Sequence, residues 1–471
     1  MKSQNLGTLV SFMIILTACN NAKDTFHTDK EILSIEVNGA LKTSNWKIAP
    51  ERKPDVFELE CTQENNMVIF SDSINSISYK VGLNDTIDFS IVLNNKDTAL
   101  TRIIGVRPNV NFTDTYIKKN RGKVNVAIPE VSELVNIVMV LHKDAEKDKN
   151  MFNTHTDYYK RVKSYFGPHR EHRIIDTIQK YIHSLQYNES LKDSIFSYDS
   201  YTYYFALKMN ACSYYFDTDG VILNDGVIRE MAKGWNPFDP MKDANLMADF
   251  AKQSDFRSFY GQNKPYYDSL VATYKQLNPI DQMQQWLDKK FGFSYGNYTI
   301  YFSPLIYGAH STQHFSNNGF NQTFMFICPA EYDPEYSKVM NALLESRVVF
   351  TEIDHNYVNP ISDKYSKKIN EVFSDREKWT KGEITDAYDN AYMVFNEYMT
   401  YAVYSLYLID EYPEEEVAEF LPKMESQMEN RRGFIKFGAF NRELIRKYKE
   451  DNNCPMDKLY MHILEWATQM D

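Results

Sequence analysis

The sequence predicts an α+β protein: a β-rich, sandwich-like domain over residues 31–127, then a mainly helical domain with a small β-sheet over 129–471. Three observations predict it. Apolar residues alternate at period two in the first stretch. They recur at three- or four-residue steps after Pro129, and return to a strand pattern between Tyr298 and Cys328. At 471 residues the chain is long for one domain and suits two or three. It carries 52 basic and 64 acidic side chains, a net charge of −12. That balance argues against a nucleic-acid partner, which would call for clustered Lys and Arg. Neither G-x-G-x-x-G nor G-x-x-x-x-G-K-[ST] occurs, so nothing supports a dinucleotide or P-loop nucleotide site. No apolar run reaches the ~18 residues of a membrane helix.

The chain start reads as an address. Lys2 is followed by the apolar stretch Phe12-Met13-Ile14-Ile15-Leu16 and then by Leu16-Thr17-Ala18-Cys19. This resembles the lipobox of bacterial lipoproteins. The resemblance implies a signal peptide at 1–18, cleavage before Cys19, and a diacylglycerol on the Cys19 thiol. Residues 19–30, polar at first, then form a tether. The expected partner is a membrane, reached through acyl chains, each adding ~0.8 kcal/mol per buried methylene. The expected location is the cell envelope, as an outer-membrane anchored protein facing the periplasm or the surface.

Within 31–127 the expected strands include Ile35–Val37, Met67–Phe70, Ile87–Leu93 and Leu100–Val106, with Asn94–Asp97 as a turn. No cluster of catalytic residue types falls there, so support, spacing or ligand presentation is its expected role. Cys61, Cys212, Cys328 and Cys454 are scattered and form no C-x-x-C; disulfides and buried thiols both remain open. After Pro129, Val131, Leu134, Val135, Val138 and Leu141 keep helical spacing. Tyr158–Leu185 and Pro279–Phe291 read as largely helical. Strands follow at Thr299–Phe302 and Thr323–Ile327, with Asn318-Gly319 as a hairpin turn. Two long helices are expected at about 334–355 and 384–409.

The chemistry-bearing segment is Val348–Pro360. Met340, Leu344, Val348, Thr351 and His355 share one helix face, which ends in Thr351, Glu352 and His355. A zinc hydrolase of the H-E-x-x-H type places two His at i and i+4, with Glu as base on a metal-bound water. Here the register is T-E-x-x-H. Glu397 lies on the next strong helix among Met393, Val394, Tyr401 and Tyr404, where an ionised carboxylate is costly unless paired or bound to metal. His310 and His314, four apart on an expected strand, face one side of it. They read either as a polar surface pair or as a source of a further ligand. Glu352 and His355 likewise read either as site residues or as members of a hydrogen-bonded core network.

The lipobox, the β-rich first part, the strand pair and the E-x-x-H-x-x-V-N-P segment together resemble a family of bacterial lipoproteins. Its C-terminal domain, of unknown function, has a zincin-like core of gluzincin type. The resemblance covers roughly 129–471. It implies Glu352 as general base, His355 and the downstream Glu397 as ligands of Zn2+, and peptidase-like hydrolysis. Thr351 stands where the motif has its first His, and His310 or His314 is a candidate replacement ligand. Two functions follow: a metal-dependent hydrolase acting on peptide bonds, or a non-catalytic lipoprotein whose inherited cleft binds a peptide, glycan or partner protein. Cys19→Ala should yield an uncleaved or soluble form. Unchanged membrane fractionation and mass of that variant would exclude the anchor.

Overall fold

The computed structural model describes residues 24–147, 151–181, 185–188, 193–197, 200–229, 231, 240–308, 310–450 and 454–470. The expected signal peptide and Cys19 lie outside the described residues. The chain divides into two compact units, 1–108 and 109–471.

The first unit holds two four-stranded sheets. One has the order β1 (Thr25–Thr28), β7 (Thr86–Leu93), β8 (Asp97–Val106), β4 (Asp55–Glu60); the other runs β3 (Ala40–Lys47), β2 (Ile32–Val37), β5 (Asn66–Ser71), β6 (Ser76–Val81). Period-two alternation gives each sheet one apolar face, and both faces feed one core. Ring pairs from different sheets meet inside it: Phe70 with Phe89 at 5.2 Å, Tyr79 with Phe89 at 5.1 Å and Phe57 with Phe70 at 5.6 Å. Asn94 and Asn95 take positive φ in the turn between β7 and β8.

In the second unit, β9 (Val124–Ala127), β14 (Gly296–Phe302) and β16 (Phe320–Ile327) are parallel neighbours, and β15 (Ser311–Asn317) is the antiparallel edge next to β16. Val124–Ala127, read from sequence as the end of the β-rich part, thus pairs with β14. Two small hairpins, β10 (Leu185–Asn188) with β11 (Asp193–Ser197) and β12 (Tyr214–Phe216) with β13 (Ile222–Asn224), stand apart from this sheet. Asn318 and Gly319 both have positive φ, the requirement of a two-residue type I′ turn, and so fix the β15–β16 register.

Helices surround the sheet: α1 (Asp114–Asn120), α2 (Glu130–Leu141), α3 (Asp157–Phe166), α4 (Arg173–Tyr181), α5 (Ser200–Ala211), α6 (Ala244–Gln253), α7 (Phe256–Leu277) and α8 (Ile280–Phe291). They continue with α9 (Lys338–Lys364), α10 (Ser366–Val372), α11 (Ala391–Glu411), α12 (Glu414–Ser426), α13 (Phe437–Glu450) and α14 (Met456–Thr468). The expected helix over Tyr158–Leu185 breaks at Gly167-Pro168 into α3 and α4. The helix expected to end near 355 runs on through Pro360, because Val358 before it and Ile361 and Ser362 after it are buried. Among the described residues no helix is long and apolar enough to cross a membrane, and Cys61, Cys212 and Cys328 are free thiols.

Glu133 on α2 is wholly buried, and the Tyr158 hydroxyl donates to its Oε1 at 2.7 Å. Burial pushes this carboxyl from 4.5 up to about 7, against the downward pull of Ser303, Tyr158 and Asn136. The folded chain therefore keeps a proton that the unfolded chain has already released. The stability from this proton is full below pH 4.5 and is lost as pH rises through about 7. Relative to Glu133→Gln, the wild type should lose on the order of 3 kcal/mol across that window in urea unfolding. Parallel pH profiles for the two proteins would contradict this.

Candidate functional site

Helix α9 presents Glu352 and His355 one turn apart, both half-buried. Glu352 is tied to the sheet edge: the Thr312 hydroxyl on β15 donates to its Oε2 at 2.9 Å. His314, two residues on and so on the same face of β15, has Nδ1 3.0 Å from Thr323 Oγ1, and that hydroxyl donates to Tyr295 at 3.0 Å. Burial holds the His314 imidazole below its ordinary pKa; the Glu352 charge opposes this and His355 adds to it. His355 Nδ1 lies 3.4 Å from Asn359 Oδ1, one turn further along α9. Thr351 is buried, and its hydroxyl donates to the Val348 carbonyl of its own helix at 3.0 Å. His310 comes just before β15 rather than within it, with Nε2 3.8 Å from Cys328 Sγ. Burial, helped by Lys208, lowers its pKa as well.

Glu397 lies on α11, which packs along α9. Its side chain is 8% exposed and accepts an ion pair from Arg432 Nη2 at 2.7 Å. Arg432 also donates to the hydroxyls of Tyr388, at 2.8 Å, and Tyr401. Its guanidinium lies 4.9 Å from the centroid of the Tyr401 ring. Burial opposes the Arg432 charge, but Tyr401, Glu397 and Tyr388 outweigh it and raise the pKa. Between Glu352 and His355 on α9, Asp354 is wholly buried and neither carboxyl oxygen has a hydrogen-bond partner. Burial, with the nearby charges of Glu397 and Glu352, drives its pKa well above the carboxylate range.

The structure thus brings Glu352, His355 and His314 within electrostatic reach of one another and sets Glu397 in an ion pair with Arg432. These donors do not fit the expected zinc. Among the described residues no three of His, Cys, Asp or Glu are grouped to hold a metal ion. Glu397 is engaged by a guanidinium, and Thr351 directs its hydroxyl into its own helix. Sequence reasoning missed Thr312 and Arg432. Thr312 had a signal, since it shares the period-two face of His310 and His314; Arg432, in the charged run Glu429-Asn430-Arg431-Arg432, had none. No protein-family model, curated protein or solved structure matches the chain.

Removing one partner of a buried pair leaves the other charged in a dry place, at a cost of about 3 kcal/mol. Glu397→Ala and Arg432→Ala should each destabilise by that order. The double variant should lose at least about 1 kcal/mol less than their sum in urea unfolding. Strict additivity would show that the pair is not coupled.

Proposed function

We propose that this chain is a lipid-anchored protein of the bacterial cell envelope, held through Cys19, whose second unit binds an extended peptide. In this reading the cleft is inherited from a zincin-like hydrolase and serves binding instead of catalysis. The first unit, sandwich-like, separates anchor from binding unit along the chain.

The observation that carries the reading is the outer edge of β15. Across a two-residue turn the flanking residues Asn317 and Phe320 exchange both ladder bonds, so Thr312, His314 and Ser316 direct their backbone groups away from β16. β15 is the end strand of its sheet, and no described backbone group outside the sheet bonds to it. Proteins guard such edges with brevity, charge, proline or bulges. The other edge strands of the two units' four-stranded sheets follow that rule. β1 and β9 have four residues each. β3 carries Lys42 and Lys47 in a shifted register, β4 carries Asp55, Glu58 and Glu60, and β6 carries Lys80. β15 is seven residues long, S-T-Q-H-F-S-N, in unbroken register and without Lys, Arg, Asp, Glu or Pro. A peptide added there gains main-chain hydrogen bonds for affinity, and its alternate side chains meet Glu352 and His355 for specificity. A hydrolytic reading needs Glu352 open to water and Glu397 open to metal. Thr312 and Arg432 occupy them, which supports binding.

His314→Pro tests the edge, since it deletes an outward N–H and leaves the ladder to β16 intact. Peptides selected from a displayed library of unstructured sequences on the full chain should bind the variant at least roughly tenfold more weakly, the equivalent of about one hydrogen bond. Its melting temperature should stay near that of the wild type. Failure of any peptide to enrich, or undiminished binding by folded His314→Pro, would overturn the reading.

A further inference from the structure

The local chain around Arg432 is built to deliver its guanidinium. The last turn before it, Gln427–Arg431, is π-helical, a rare geometry that displaces the following residue from the α-helical path. Gly433 follows with φ of +80°, and a Cβ there would sit 2.1 Å from the Lys381 carbonyl oxygen. Only glycine makes this close approach, which is locked by the Lys381 N–H donating to Gly433 O at 2.8 Å.

What receives the guanidinium is a set of electron-rich groups. Glu397 supplies a carboxylate, Tyr388 and Tyr401 supply phenolic oxygens, and Met428 supplies a thioether 3.8 Å from Nη1. The Tyr401 and Phe434 rings lie 4.9 and 5.6 Å from the guanidinium carbon, within cation–π range. This is the environment of a bound cation, filled by a side chain of the same chain.

We propose that Arg432 is the resident cation of this cleft: it takes the charge role at Glu397 that a divalent ion would have, and so keeps the cleft closed to metal. On the zincin-like reading, Thr351 in place of the first motif histidine withholds a ligand, and Arg432 supplies the charge at Glu397. Restoring histidine at 351 alone should not restore a metal site. The inference rests on the zincin-like part of the proposed function and not on peptide binding, and its test uses no peptide.

The test is zinc titration, by calorimetry and thermal melting, of the full chain as wild type, Thr351→His, Thr351→His/Arg432→Ala, and the last with Glu397→Gln added. Wild type and Thr351→His should take up no stoichiometric zinc. The double variant should bind one equivalent at least roughly tenfold more tightly than Thr351→His, and the triple variant should lose that gain. Stoichiometric zinc binding while Arg432 is in place would overturn the proposal. So would a folded double variant that binds no better than Thr351→His. Should the double variant fold poorly, zinc must raise its melting temperature and leave that of the triple variant unmoved. The absence of that difference would equally overturn the proposal.

Discussion

The burial of α9 is the constraint on which the rest of the second unit depends. The helix packs against α7, α8, α10, α11 and α12, and it carries Asn341, Ser346, Thr351, Asp354 and Ser362 into the interior with its apolar residues. Each buried polar group costs free energy unless it finds a hydrogen-bond partner. Asn341 bonds the Asp333 backbone in both directions, at 2.7 and 2.8 Å. Ser346 meets the Tyr404 hydroxyl at 2.9 Å, and Ser362 donates to Tyr460 at 3.3 Å. Of these, Asp354 alone has no hydrogen-bond partner, and its burial raises its pKa. These matches fix the rotation of α9 about its axis. Glu352 and His355 are thereby aimed at β15.

The same constraint explains the tyrosine-rich composition, 34 Tyr against 29 Phe. A tyrosine offers the area of an aromatic ring and one hydroxyl for a partner within the core. Tyr404 donates to Leu343 O at 2.7 Å, Tyr460 to Val358 O at 3.0 Å, and Tyr398 to Trp379 O at 2.6 Å. Tyr357 donates to Asp288 at 2.6 Å. Two of the backbone acceptors belong to α9. Rings from neighbouring helices pin that backbone as well as its side chains.

Local patterns were legible in the sequence; long-range pairings were not. The alternation in Ile87–Leu93 and the Asn318-Gly319 turn follow from residue chemistry and reappear as β7 and the β15–β16 hairpin. Pro279–Phe291 reappears as α8, Ile280–Phe291. Helix ends were less legible. Burial past Pro360 outweighed the cost of a proline inside α9, and residues expected to open α11 form a 3-10 turn at Glu383–Ala387. In the site, one helix face already joined Glu352 to His355. Glu397 was rightly marked as a carboxylate needing compensation. Its compensating charge comes from Arg432, 35 positions later and delivered by a π-turn that no periodicity announces.

A guanidinium and a metal ion stabilise a cleft in different ways. Zinc demands ligand atoms at about 2.0–2.2 Å in tetrahedral array and leaves a coordination position for water, which is where chemistry begins. Arginine keeps its charge throughout the pH range of proteins and spends its donors on acceptors already in the frame. Arg432 bonds Glu397, Tyr388 and Tyr401, and Thr312 bonds Glu352. Both carboxylates that the motif would devote to reaction become acceptors inside the fold. The Thr312–Glu352 bond also clamps β15 to α9, while His314 and Thr323 tie β15 to β16. An edge strand held on two sides loses little freedom when a further strand adds to it, and such preorganisation favours binding. On the reading proposed above, residues that a hydrolase would use in reaction would instead stiffen an edge for docking.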